Sequence, residues 1–123
     1  LLVGGPTHAF TMSRPASRHD ARMRGATCTT SRGIREWLAL VEDAARDVQV
    51  ALFDTRVASL KALPGSAAAA AARVVRSAGI PLTQRPTSFY VEDMTGPLVA
   101  GELDRARAWG RAFMVEPLLV PSA

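Results

Sequence analysis

The sequence has little cysteine, histidine or lysine, and no long apolar run. Cys28 is the one cysteine in 123 residues, so no internal disulfide can form and a disulfide-framed secreted module is excluded. With only His8 and His19 beside it, the ligands of a usual structural zinc site are missing. Even the alanine block Ala67–Ala72 spans only six residues, against roughly 18 for a membrane-crossing helix. Lys61 is the only lysine among fifteen cations, the other fourteen being arginine, and the formal net charge is +4. An arginine excess alongside abundant Ala, Gly, Pro and Val reads as the codon usage of a GC-rich genome. It is weaker evidence for nucleic acid than a Lys/Arg stripe. No nucleic-acid or membrane partner is expected, and the expected location is cytoplasmic.

What is present suffices for one domain. The length falls within the usual range of about 100–150 residues, enough to bury roughly two thirds of the unfolded surface. Hydrophobic residues make up 48% and charged residues 21%, which excludes wholesale disorder. The chain opens Leu1-Leu2-Val3-Gly4-Gly5 with no Met, basic leader or cleavage-site pattern. The expectation is therefore a strand whose upstream sequence is missing.

Leu1 to Val3 predicts a short buried strand closed by the strong turn signal Gly4-Gly5-Pro6. Ser13 and Pro15 sit like the cap and first turn of a short helix. Ile34, Trp37, Leu38, Val41 and Ala45 mark one face of a helix over 34–46. Val48 to Phe53 predicts a second strand, ended by Asp54-Thr55-Arg56. Ser66 caps a helix that runs to about residue 78, where Gly79 stops it. Ile80–Gln84 and Thr87–Val91 predict two strand segments split around Pro86. Leu103, Ala106, Gly110 and Phe113 form the stripe of a last helix over 102–114, and 116–123 is expected to be a disordered tail. This alternation of strand and helix calls for a parallel sheet covered on both faces, in a three-layer α/β domain over 1–115. Ligands of such sheets bind outside the carboxyl ends of the strands.

Several short strings, in order, resemble the flavodoxin family, in particular short bacterial flavodoxin-like proteins. Gly4-Gly5-Pro6-Thr7-His8-Ala9-Phe10 followed by Met12-Ser13-Arg14-Pro15 is similar to the loop after that family's third strand. Gly33-Ile34-Arg35-Glu36-Trp37-Leu38, Phe53-Asp54-Thr55-Arg56-Val57, Pro64-Gly65-Ser66-Ala67, Ser88-Phe89-Tyr90-Val91-Glu92-Asp93, Gly96-Pro97-Leu98 and Gly101-Glu102-Leu103 continue the resemblance to about Met114. It implies a doubly wound parallel sheet of order 2-1-3-4-5, entered here at the third strand. It also implies FMN as a non-covalent redox group and a redox partner protein or reductase.

On that resemblance Pro6, Thr7, His8 and Phe10, together with Asp54, Thr55 and Arg56, are the expected cofactor-binding residues, flanking the flavin ring. The family's phosphate loop follows its first strand and has no counterpart here, so this chain is expected to bind FMN weakly or not at all. The leading expectation is an electron-transfer domain whose cofactor does the chemistry, with no catalytic side chain and no metal. An NAD(P)H- or quinone-linked FMN oxidoreductase and a cofactor-free interaction domain are the alternatives. Arg14, Arg18 and Arg22, spaced i, i+4 and i+8, are expected to form a solvated face. The apolar Leu1–Gly5 strand is expected to expose an edge that invites self-association.

Overall fold

The computed structural model describes residues 1–8, 10–27, 32–41 and 48–119. Its order is β1 (Leu2–Pro6), α1 (Pro15–Met23), α2 (Ile34–Val41), β2 (Ala51–Val57), a 3-10 turn (Ala58–Leu60), α3 (Ala67–Ser77), β3 (Thr87–Val91) and α4 (Glu102–Leu119). The three strands form one parallel sheet in the order β1-β2-β3. The α/β class with a parallel sheet is as expected from the alternation of elements.

Register explains the layers. Val3 aligns with Leu52, and Gly5 with Asp54; successive strand residues point to opposite faces, so these four share one face. That face packs on α2 and α3. Its core joins Val3, Leu52, Met12, Leu38, Val75 and four alanines of α3. Ala67, Ala68, Ala71 and Ala72 are almost fully buried. Their small side chains are the reason this helix lies close to the sheet. Phe53 and Phe89 occupy the other face, where both meet Trp109 of α4 edge-to-face at centroid distances of 5.7 and 5.9 Å. Helices thus cover the sheet on both sides.

Several boundaries differ from expectation. Asp54, Thr55 and Arg56 lie within β2, opposite Gly5 and Pro6 on one side and Ser88, Phe89 and Tyr90 on the other. The polar triplet does not end the strand, because neighbouring elements satisfy it. Ile80–Gln84 is not a strand. Only Leu82 bridges to Val50, since Pro81 has no N–H to extend a ladder. Helix α1 is capped by Arg14 rather than Ser13, and Pro15 takes the first turn. In α4 the packing falls to Trp109 and Phe113, whereas Leu103 is 53% exposed. That helix runs on to Leu119, into the segment expected to be a disordered tail. The expected last turn of α2, residues 42–46, and Cys28 lie outside the described residues. No helix among the described residues is long and apolar enough to cross a membrane.

Candidate functional site

The carboxyl ends of β1 and β2 meet the N-terminus of α3, and here five of the seven expected residues come together. A helix start leaves its first amides without intrahelical partners. In α3 three side chains from three segments take them. Thr7 Oγ1 accepts from the Ala67 amide at 3.0 Å, Asp54 Oδ2 from Ala68 at 2.8 Å, and Ser66 Oγ from Ala69 at 3.1 Å. Asp54 is fully buried. A carboxylate is favoured there because a helix N-terminus carries partial positive charge. Its other oxygen, Oδ1, is buried without a hydrogen-bond partner.

Thr7 begins a tight turn closed by paired backbone bonds between His8 and Thr11, at 2.8 and 3.0 Å. Phe10 sits in this turn with φ +65°, a left-handed conformation that is costly for an aromatic residue. The residue is 43% exposed. Gly65 (φ +95°) lies beneath, and a Cβ there would come within 2.8 Å of the Phe10 carbonyl oxygen, so only glycine fits. Arg35 of α2 braces the turn from the side, donating to Thr11 Oγ1 at 3.2 Å. Arg56 shares the face of β2 that carries Asp54 and donates to the carbonyls of Leu60 and Leu63 at 3.3 and 2.8 Å, tying down the loop before α3. Thr55 is half-buried on the opposite face, and Pro6 ends β1 exposed to solvent.

Phe10 thus lies exposed over Gly65, His8 and Pro6 line a groove with Ile34 and Trp37, and Asp54 and Arg56 hold the scaffold. Arg35 was not anticipated. A cation one step beyond the apolar position Ile34 in the α2 stripe was the only signal for it.

The start of α2 is occupied as well. The Glu36 carboxylate accepts from the Gly33 amide at 3.0 Å and pairs with Arg18. The Arg18 hydrogen bond, with the Gly33 contact adding to it, holds the Glu36 carboxyl below its ordinary value of 4.5. Arg18 also donates to Ser13, so the middle member of the expected arginine face turns inward. On β3, Glu102 accepts from the Tyr90 amide at 2.8 Å and from Arg105. Arg105 is the main cause that lowers the Glu102 carboxyl from 4.5 to about 2, reinforced by the Tyr90 amide. No group of three metal-ligating side chains is found among the described residues. No protein-family model matches the chain, and no similar curated protein or solved structure is found.

Proposed function

We propose that the chain is a flavodoxin-like electron-transfer domain, built on a doubly wound sheet, whose Thr7–Thr11 turn meets the ring of FMN. One observation carries this reading: an aromatic side chain held exposed, in a strained backbone conformation, at the carboxyl end of a parallel sheet. Strain of this kind persists only where its surroundings impose it, and it clusters at ligand clamps. Sheets of this type bind ligands at that end. Phe10 offers an exposed ring for stacking, and His8 belongs to the same turn. FMN would supply one- or two-electron chemistry, and the protein would hold, orient and shield it.

The phosphate is a different matter. The first amides of α3 are taken by Thr7, Asp54 and Ser66, and the Gly33 amide before α2 by Glu36. Neither of these two helix starts therefore has these amides left to cradle a phosphate. Binding is expected to be weak and nearly equal for FMN and riboflavin. Fluorescence-quenching titrations with both flavins test this. Phe10→Ala should weaken both about two- to tenfold, the worth of one aromatic pair. Flavin binding unchanged by Phe10→Ala, or no binding by either protein, would overturn the reading. The latter result would favour a cofactor-free interaction domain, to which the self-satisfied α3 N-terminus already points.

A further inference from the structure

Three arginines among the described residues are half-buried: Arg18, Arg35 and Arg56. Arg18 has a carboxylate partner, Glu36. The two at the candidate site bond to neutral oxygens instead. Arg35 donates to the Thr11 hydroxyl at 3.2 Å and reaches the Met12 carbonyl at 3.5 Å, and its buried Nε has no hydrogen-bond partner. Arg56 donates to the carbonyls of Leu60 and Leu63. Glu36, beside Arg35 in sequence, turns to Gly33 and Arg18.

The segments around these two cations bring no acid. Asp and Glu are absent from Leu1 to His19 and from Thr55 to Val91, which hold the turn and the loop before α3. Asp54 stands between those segments, but its carboxylate faces the Ala68 amide. That helix start carries partial positive charge of its own, which offsets the carboxylate. Glu92 and Asp93 follow β3, across β2 from the turn. A half-buried cation without a counter-ion is costly. Two of them at one site leave an excess of positive charge where the turn meets its ligand.

We propose that the Thr7–Thr11 turn prefers the reduced, anionic form of the flavin ring over the neutral oxidised form, with Arg35 and Arg56 as the specificity-determining residues. The inference rests on the flavin reading above and adds which redox form the site holds. The oxidised ring is neutral. Reduction by two electrons with uptake of one proton leaves one negative charge, spread over N1 and the C2 carbonyl oxygen. Stacking on Phe10 supports both forms, whereas the two cations favour only the charged one. One cation about 10 Å from that charge, at an effective dielectric near 20 and partly screened by salt, should change affinity roughly three- to tenfold.

The test uses riboflavin, which has no phosphate, with the 123-residue chain. Anaerobic equilibrium dialysis near pH 8, where the reduced ring is an anion, compares oxidised riboflavin with the dithionite-reduced form. The reduced form should bind roughly tenfold more tightly. Arg35→Gln keeps an amide donor for Thr11 and removes the charge, so it should narrow that ratio about three- to tenfold. Arg35→Lys keeps the charge and should retain most of the preference. Arg56→Gln removes the second charge independently, with circular dichroism as the check on folding for each variant. The ratio decides, because a variant that merely loosens the turn weakens both forms alike. Equal affinity for the two forms overturns the inference and leaves the flavin reading standing. So does a ratio that neither Gln variant narrows, or one that Arg35→Lys loses as fully as Arg35→Gln. No binding of either form overturns the flavin reading and this inference with it.

Discussion

The two outer edges of this sheet solve one problem in opposite ways. On β3 the outward groups are matched one by one. The Tyr90 amide donates to Glu102, the Tyr90 carbonyl accepts from Val99 at 3.0 Å, the Glu92 amide donates to Pro97 at 2.9 Å, and Arg105 donates to the Ser88 carbonyl. Arg105 also lies 4.6 Å over the Phe89 ring, so the plug combines charge, hydrogen bonds and stacking. On β1 the corresponding groups of Leu2 and Gly4 are unanswered among the described residues, and Leu1 and Leu2 are 45% and 43% exposed. Edge strands left bare recruit further strands, and proteins usually cover or charge them. Here an ion pair plugs one edge, while Leu2 and Gly4 on the other have no partner among the described residues. Both edges belong to one sheet, so the difference lies in the segment downstream of each strand. Eleven residues beyond β3, a glutamate and an arginine one helical turn apart begin α4.

The strongest way to break this contrast is to unplug β3. Glu102→Ala strands the Tyr90 amide and frees Arg105. Losing hydrogen bonds to a charged group should cost about 1.5–3 kcal/mol, read as a lower midpoint in urea unfolding. It should also make β3 a second open edge, with faster exchange at Tyr90. Next in size, Gly4→Ala places a methyl against the Phe53 ring, which Trp109 and Phe89 hold in place. The end of the ring can shift only partly, so a loss of about 1–2 kcal/mol is expected, checked by the same unfolding curves. Ser66→Ala touches neither edge. It removes the N-cap of α3 and should cost about 1 kcal/mol without altering exchange at Tyr90, which makes it the control for general destabilisation.

The same plug is read a second way through pH dependence. The folded Glu102 carboxyl titrates near 2, below its ordinary 4.5. Between these values the unfolded chain binds more protons, so this group's stabilisation is complete above about 4.5 and is lost as the pH falls towards 2. Glu102→Gln should flatten that part of the stability–pH curve. An unchanged slope would mean that Glu102 does not hold the β3 edge.

Much of the scaffold was legible locally. The stripe from Ile34 to Val41, the serine before the alanine run and the glycine after it each declare a helix through spacing or backbone chemistry. The residues expected to line a ligand were less legible. Asp54-Thr55-Arg56 looks like a strand end because buried strands rarely hold charge. The strand continues through it because the α3 amide of Ala68 and the carbonyls of Leu60 and Leu63 satisfy Asp54 and Arg56. Nothing in the residue types around position 54 announces those partners. Phe10 was picked out by its surrounding string, but its left-handed backbone and its seat above Gly65 depend on two segments that are 55 positions apart.

The sequence by itself determined the α/β class and the parallel sheet implied by strand and helix alternation, and its one cysteine leaves no pair for a disulfide within this chain. Periodicity, capping chemistry and composition act over a few residues and are therefore written locally. Only the tertiary structure decided that Thr7, Asp54 and Ser66 close one helix start, that Trp109 rather than Leu103 anchors α4, and that Glu102 and Arg105 plug the β3 edge. Those outcomes rest on buried polar groups finding partners from distant segments. A donor's need for a partner can be read from the chain, but which distant group supplies it is fixed only when the strands take their register.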